Sequence, residues 1–125
     1  MIAVRRRIVL VGLLAGALAC VGQVARAAPS EAERARIERL IASVGGQTGL
    51  KFVRNGSAYS PADAARFLRG KFDKMGEHVN TAQQFIDEIG SRSSTTGQAY
   101  QIRFADGRSM TAAQFLGDEL KRMDR

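Results

Sequence analysis

Two segments of the sequence share one local pattern, which restricts the possible fold more than any other feature. Asn55-Gly56 and Asp106-Gly107 are dipeptides typical of the two-residue turn that joins antiparallel strands. A helix start follows each turn after a short strand-like run: Ser60 precedes Pro61 in the first unit, and Thr111 stands at the same place in the second. The chain is therefore predicted to contain two β-hairpins, each leading directly into a helix.

Two further helices complete the pattern. A capping box at residues 30–33 opens a helix that ends at Gly45-Gly46, and Thr81 opens another that ends at Gly90. The order α-β-β-α-α-β-β-α predicts an α+β fold in one small domain, with four helices and four short antiparallel strands at residues 50–54, 57–59, 100–104 and 108–110. The likeness of the two hairpin-helix units indicates either an internal repeat or the short list of residues that turns and caps accept.

Helical periodicity identifies the faces expected to be buried. In the second helix the apolar positions follow a spacing of three and four residues, and the last helix has the same spacing. The expected inward residues are Ala65, Leu68, Phe72 and Met75 in the second helix and Ala113, Leu116, Leu120 and Met123 in the last.

Residues 1–27 have the three parts of a secretory signal. Three arginines at residues 5–7 precede an apolar stretch, and Ala25 and Ala27 supply small residues for a cleavage site. Cleavage is expected after Ala27, which leaves residues 28–125 as the single domain and places it in the periplasm. Two alternatives stay open. One is an uncleaved anchor, although Gln23 interrupts a segment that needs about 20 apolar residues to span a membrane; the other is lipid attachment at Cys20.

The basic character of the whole chain comes largely from this signal. The chain carries 19 Lys and Arg against 12 Asp and Glu, a formal charge of +7. Removal of residues 1–27 takes away four arginines and leaves 15 basic against 12 acidic side chains, a net charge of +3. The remaining charges interleave along the helices instead of forming a stripe, so nucleic acid is not an expected partner.

Residue types needed for several kinds of chemistry are missing. Cys20 is the one cysteine and His78 the one histidine, so a zinc or haem site is not expected, and no cofactor is. The sequence also lacks nucleophile-elbow, Ser-x-x-Lys, His-Glu-x-x-His and phosphate-loop motifs, so no catalytic residue is assigned. An enzymatic activity is therefore not expected.

Two polar features remain as candidate sites. The loop at residues 91–97 is rich in hydroxyl groups and contains Arg92, a combination that suits a carboxylate, phosphate or glycan oxygen; the alternative is a flexible connector. The second helix carries a basic face, which is either a ligand site or a solvated surface compensated by pairs such as Arg69 with Asp73 and Lys74 with Glu77. The basic face consists of Arg66, Arg69, Lys71 and Lys74.

A set of residues resembles a known family over nearly the whole of residues 28–125, from the first helix to Leu120. They are Phe52 to Gly56, Tyr59, Ala64, Ala65, Leu68, Arg69, Lys71, Thr81, Phe85 to Asp87, Ser91, Ser93, Ser94, Gly97, Tyr100, Ile102, Arg103, Asp106 and Gly107. This ordered set resembles the domain-of-unknown-function 5329 family of short exported bacterial proteins. The resemblance implies a bacterial, periplasmic protein and no particular activity. Phe67 stands where that family is expected to carry a His, so no role can rest on an imidazole there.

The polar positions shared with that family are the candidate site residues: Arg54, Asn55, Tyr59, Arg69, Lys71, Ser93, Ser94 and Gly97. Together with the missing catalytic motifs, they favour a non-enzymatic module that binds an anionic or glycan-like ligand or another periplasmic protein. Two alternatives are a subunit of a larger envelope assembly and a cell-envelope polymer hydrolase. The hydrolase hypothesis would use His78 with one of the carboxylates of Asp63, Asp87 or Glu88.

Overall fold

A computed structural model describes residues 29–125. The predicted signal segment, its cleavage after Ala27 and the lipid attachment at Cys20 lie outside the described residues. In chain order the elements are α1 (Glu31–Gly45), β1 (Leu50–Arg54), β2 (Ser57–Tyr59), α2 (Pro61–Met75), a 3₁₀ turn (Gly76–His78), α3 (Ala82–Phe85) with a π-helical continuation (Ile86–Gly90), β3 (Gln101–Phe104), β4 (Ser109–Thr111) and α4 (Ala112–Met123). The predicted α+β class and element order are confirmed.

Both hairpins join in one antiparallel sheet of order β2-β1-β3-β4. Its central contact pairs β1 with β3, so that Phe52 lies opposite Ile102, while the hairpins pair Phe52 with Tyr59 and Ile102 with Met110. The order is symmetric: the first strand of each hairpin lies at the centre of the sheet, and the second strand of each lies at an edge. The strand order is thus the one that two similar hairpin units would form by pairing through their first strands.

Each α-helix begins at a side chain that satisfies a free backbone N–H. The hydroxyls of Ser30, Ser60, Thr81 and Thr111 each accept a hydrogen bond of 3.1 Å from the N–H three residues ahead. Such a cap stabilises a helix by about 1 kcal/mol, because the first N–H groups of a helix have no partner within it. Helix starts were therefore predictable from local sequence.

The helices cover one face of the sheet and enclose the core. From the sheet, Phe52 and Ile102 are fully buried, and Leu50 is nearly so. Phe72 of α2 packs edge to face against Phe85 of α3, with ring centroids 5.7 Å apart. The helical contribution to the core is Ile37, Leu40, Ile41, Val44, Ala64, Leu68, Phe72, Ala82, Phe85, Ile86, Ile89, Ala112, Phe115, Leu116 and Leu120.

The inward faces of α2 and α4 differ in part from the expected sets. Leu68 and Phe72 are buried as predicted, but Ala65 and Met75 are only partly buried. Lys71, which was not among the expected inward residues, is buried beside Leu68 and Phe72. In α4 the structure buries Leu116 and Leu120 as expected and adds Ala112 and Phe115, while Ala113 and Met123 lie at the margin. The buried face of α2 includes Lys71 because the Lys71 ammonium makes hydrogen bonds inside the domain.

Small boundary differences accompany the hairpins. The returning strand of the second hairpin covers Ser109–Thr111 instead of residues 108–110, and regular pairing in the strand before it begins at Gln101.

None of the helices in residues 29–125 is both long and apolar enough to cross a bilayer.

Candidate functional site

Lys71 is the unexpected feature of the site, because its side chain points into the molecule. The residue is 9% exposed. Its Nζ donates hydrogen bonds to the carbonyl of Ile89 at 2.9 Å, the carbonyl of Arg92 at 2.8 Å and the Tyr100 hydroxyl at 3.0 Å. An ammonium group has three donors, so these partners satisfy it completely. Lys71 therefore lies inside the structure and not on the solvated basic face that its helix position indicated.

The two carbonyls lie where the chain leaves regular structure. Ile89 belongs to the π-helical continuation of α3, and Arg92 forms an isolated antiparallel bridge with Ala99. Buried carbonyl groups that no backbone donor reaches must find another partner. Lys71 of α2 is that partner, and its hydrogen bonds hold the residues after α3 against α2.

Burial and neighbouring positive charges both act on the Lys71 ammonium. Loss of water contact lowers the pKa of Lys71 from 10.5 to about 8, and the positive charges of Arg54 and Arg92 lower it in the same direction. The hydrogen bond from Nζ to the Tyr100 hydroxyl, at 3.0 Å, offsets part of this cost. Burial also raises the pKa of the Tyr100 hydroxyl, against which Arg54 acts.

Arg54 ends β1 and lies over an aromatic surface. Its guanidinium carbon is 4.3 Å from the centroid of Phe67 and 5.8 Å from that of Tyr59, and its Nη1 donates to the Tyr59 hydroxyl at 3.3 Å. The Lys71 ammonium lies 6.0 Å from the same Phe67 ring. Phe67, which also packs edge to face on Tyr100 at 5.7 Å, thus lies beside two cations.

The loop at residues 91–97 is folded around the side chain of Ser93. Ser93 is 5% exposed, and its Oγ accepts hydrogen bonds of 3.2 Å from the backbone N–H groups of Thr95 and Thr96. The Gly97 N–H donates to the Ser93 carbonyl at 3.0 Å, and Gly97 has a φ of +76°, a conformation that favours glycine. Local hydrogen bonds thus give the loop a defined shape.

Asn55 links this loop to the first hairpin. Its Nδ2 donates to Ser93 Oγ at 3.4 Å, and its Oδ1 accepts from Thr96 Oγ1 at 2.7 Å. Asn55 has a φ of +49°, as the predicted turn requires. The turn residue therefore has a second role, since it places Arg54 beside the loop that carries Arg92.

The structure brings most of the candidate site residues together. Five of them, Arg54, Asn55, Tyr59, Lys71 and Ser93, are connected by the contacts described above, and Gly97 closes the same loop. Ser94 is in the same loop, and its Oγ is 3.8 Å from Sδ of Met75 in α2. Arg69 lies elsewhere: its Nη2 pairs with Glu38 Oε1 of α1 at 2.9 Å, and the pair anticipated with Asp73 is replaced by this one.

The sequence does not predict Phe67 and Tyr100 as site residues, and it predicts Arg92 only as a member of the candidate loop at residues 91–97. A signal existed for Tyr100, because a buried tyrosine usually has a partner for its hydroxyl. The presence of the aromatic Phe67 within the basic helix α2 was a weaker signal. Arg92 was identified as the basic residue of the hydroxyl-rich loop, but its closeness to Lys71 depends on long-range packing.

We call Arg54, Lys71 and Arg92 the basic cluster. Within residues 29–125, ion pairs form between Arg36 and Glu33, Arg36 and Asp124, Arg66 and Asp63, Arg69 and Glu38, Arg108 and Asp106, and Arg122 and Glu119. No carboxylate in this part of the chain pairs with a member of the basic cluster. Three positive charges therefore lie near one another without a described counter-ion, which is the arrangement of an anion site.

Groups suited to metal binding or proton transfer are not assembled in the described region. Across residues 29–125, no three His, Cys, Asp or Glu side chains are placed to hold a metal ion. His78, in the exposed 3₁₀ turn after α2, makes no ion pair with a carboxylate among these residues. The contact on which the hydrolase hypothesis depends is thus not present there.

Comparison with known proteins gives a family and a relative. The model of the family described as "Family of unknown function (DUF5329)" matches residues 31–124. "Uncharacterized protein YfeK" of Salmonella typhimurium is 40% identical over 68 residues, which cover 54% of this chain and 57% of that protein. The chain thus spans little more than half the length of this relative. No solved structure matches.

Proposed function

The chain belongs to the DUF5329 family of unknown function, and we propose that it is a non-enzymatic, exported module that binds an anionic group at the basic cluster. The observation that carries this proposal is the absence, within residues 29–125, of any carboxylate paired with Arg54, Lys71 or Arg92. Like charges held close together raise each other's free energy, and an anion relieves that repulsion.

Arg54 and Arg92 would contact the ligand. A guanidinium has five N–H donors, and Arg54 donates through Nη1 to the Tyr59 hydroxyl. Arg92 is exposed, and its carbonyl is fixed by Lys71. Arginine binds carboxylates and phosphates through two parallel hydrogen bonds, so the ligand class is a carboxylate or a phosphate oxygen group. The exposed hydroxyls of Thr95 and Thr96 lie in the same loop.

Lys71 has a different part in this proposal, because protein atoms use all its donors. It adds positive charge beneath the site and holds the loop in place. The hydrogen bonds of Asn55 to Ser93 and Thr96 hold the hairpin against the same loop. A site held in its binding geometry loses less conformational entropy on binding, which favours affinity for a small anion.

A titration of the full ¹⁵N-labelled chain tests the site. Sodium phosphate, sodium acetate and a tri-galacturonate distinguish phosphate, simple carboxylate and uronic-acid glycan, with sodium chloride at matched ionic strength as the reference. We expect the amide signals of Arg54, Asn55, Arg92 and Thr96 to shift with at least one probe. Arg54→Gln and Arg92→Gln should each weaken that binding at least fivefold, about 1 kcal/mol.

Arg66→Gln is the matched control, because Arg66 lies exposed on α2 and pairs with Asp63 at 2.8 Å. It should leave affinity for the probe unchanged. Equal binding by the Arg54→Gln and Arg92→Gln variants, or shifts no larger than those caused by chloride, would overturn the proposal.

Export is the second part of the proposal. It is supported by the basic start at residues 5–7, the apolar stretch after it and the small residues Ala25 and Ala27. Mass spectrometry of the chain recovered from periplasmic extract should give an amino terminus at Ala28. A chain that stays in the cytosol with residues 1–27 attached would contradict export, and a lipid-modified terminus at Cys20 would replace the soluble form with a tethered one.

A further inference from the structure

The hydrogen-bond partners of Lys71 suit two protonation states of its side chain. As an ammonium, Nζ has three N–H donors, which go to the carbonyls of Ile89 and Arg92 and to the Tyr100 hydroxyl. Tyr100 is 1% exposed, and its hydroxyl hydrogen has no acceptor among the hydrogen bonds of residues 29–125. A buried donor without a partner is unfavourable. The charged state of Lys71 therefore leaves the Tyr100 hydrogen unused.

Loss of one proton rearranges these hydrogen bonds and keeps the loop anchored. A neutral amine has two N–H donors and one lone pair, so Nζ keeps both carbonyls and accepts the Tyr100 O–H. Burial raises the pKa of the Tyr100 hydroxyl, so this O–H stays protonated. A third carbonyl in its place would have no hydrogen to give. Lys71 can thus lose its charge while the loop at residues 91–97 stays in position.

The surroundings of Lys71 favour the loss of this proton. Arg54 of β1 and Arg92 of the loop act on the ammonium, and guanidinium groups keep their charge in proteins. Burial and these two arginines together lower the pKa of Lys71 to about 8. Charged neighbours on α2 and on the π-helical continuation are exposed and form no ion pair with Lys71 among the described residues: Arg69, Asp73, Lys74, Asp87 and Glu88.

We propose that this arrangement makes anion binding at the basic cluster depend on a proton: the site holds its ligand while Lys71 is an ammonium and releases it when the amine is neutral. The step breaks one Nζ–H bond, whose electron pair stays on the nitrogen while the proton passes to a base in solution. The basic cluster then carries two positive charges instead of three, and its attraction for an anion falls. Because this regulation acts at the basic cluster, it rests on the proposed function.

The test follows the binding of sodium sulfate and of sodium acetate to the full ¹³C-labelled chain at pH 6.5 and pH 9.5. Each anion keeps the same charge over this range, and the methyl signals of Thr95 and Thr96 report binding without relying on backbone amides, which exchange quickly at alkaline pH. We expect at least one anion to bind at least fivefold more tightly at pH 6.5 than at pH 9.5.

Linkage gives a second measurement on the wild-type chain. If the proton strengthens anion binding, a bound anion strengthens proton binding by the same factor. The ¹³Cε signal of Lys71, followed against pH, reports the loss of the proton directly. Its midpoint should move to a pH higher by about 0.7 in the saturating anion, which is the logarithm of a fivefold change.

Three variants identify the groups responsible. Lys71→Met should bind the anion weakly, with affinities at the two pH values within twofold of each other. Tyr100→Phe removes an acceptor of the ammonium, and because charge-assisted hydrogen bonds are the stronger ones, the Lys71 midpoint should move to lower pH. Tyr59→Phe is the matched control and should leave this midpoint unchanged, since the Tyr59 hydroxyl accepts from Arg54. Both tyrosine variants retain Lys71, so the result does not depend on the stability of Lys71→Met.

The outcomes separate this regulation from binding itself. Equal affinity of the wild type at the two pH values would overturn the regulation and leave the proposed function in place. So would a Lys71 midpoint that the bound anion does not move, or an equal loss of affinity with pH in Lys71→Met. No response to either anion at any pH would overturn the proposed function, and the regulation with it.

Discussion

The ammonium of Lys71 lies 5.0 Å from the centroid of the Tyr100 ring and donates a hydrogen bond to the hydroxyl of the same residue. One side chain of α2 thus makes a polar contact with the residue that leads into β3. Together with the bonds to Ile89 and Arg92, this pair connects the two halves of the chain at the candidate site.

Replacement of Lys71 by Met should destabilise the domain. The variant keeps the aliphatic bulk but leaves two carbonyls and the Tyr100 hydroxyl without their donor. We expect a loss of about 2 kcal/mol at pH 7 from chemical denaturation, given the cost of buried polar groups without partners. The exposed Lys74 of the same helix is the control, and Lys74→Met should change stability by less than about 0.5 kcal/mol. Equal effects of the two substitutions would contradict the structural role of Lys71.

The lowered pKa of Lys71 predicts a dependence of stability on pH. Below pH 8, Lys71 is charged in both states; between pH 8 and 10.5, the folded state releases its proton before the unfolded state does. The unfolded state then holds more protons, so the free energy of unfolding rises with pH in this window. Measured relative to Lys71→Met, which cancels the other titrating groups, wild-type stability should increase from pH 8 to pH 10. A flat or falling difference would show that the Lys71 pKa is not lowered.

Ser93 and Ser94 are adjacent serines with different surroundings. Ser93→Ala removes the acceptor for the N–H groups of Thr95 and Thr96, and we expect a loss of about 1–2 kcal/mol with faster amide exchange at both threonines. Ser94→Ala, at an exposed position, should stay within about 0.5 kcal/mol of the wild type. If both variants exchange alike, the loop is not held by Ser93.

Gly45 and Gly70 provide a matched pair for helix packing. A Cβ added at Gly45 would lie 3.0 Å from Ala65 Cβ, and neither atom can rotate away, so α1 and α2 would have to separate. Gly45→Ala should therefore destabilise by about 1 kcal/mol. Nothing lies within 4 Å of a Cβ added at Gly70, so Gly70→Ala should stabilise by about 0.5–1 kcal/mol through helix propensity. Thermal unfolding of both variants checks this, and equal stabilisation would mean that the two helices are not in close contact.

Features set by near neighbours in the sequence were predictable. Ser60 caps α2 and Asn55 makes a turn because of interactions within a few residues, and both were identified from their residue types. The burial of Lys71, which was expected to be exposed, was not predictable. The carbonyls of Ile89 and Arg92 need its donor only after α2 and the π-helical turn pack together.

Long-range partners were likewise not available from sequence pattern alone. Arg69 finds Glu38, which is 31 residues away, instead of the helix neighbour Asp73 that spacing favoured. The candidate site was therefore predictable only in the part that depends on local sequence. Its hairpin and loop residues were selected from polarity and family resemblance, while the stacking of Arg54 on Phe67 depends on how α2 crosses the sheet.

The β1–β3 pairing has a consequence for the chain during its synthesis. β1 is complete early, but the strand beside it ends at Phe104, beyond two helices and a loop. Until that late segment arrives, one side of β1 offers unsatisfied backbone groups to any extended polypeptide nearby. A truncated product that stops before Tyr100 is thus expected to aggregate. In the complete chain, the carboxyl-terminal fifth supplies the strand that pairs with β1, and this pairing protects the amino-terminal hairpin from association with other chains.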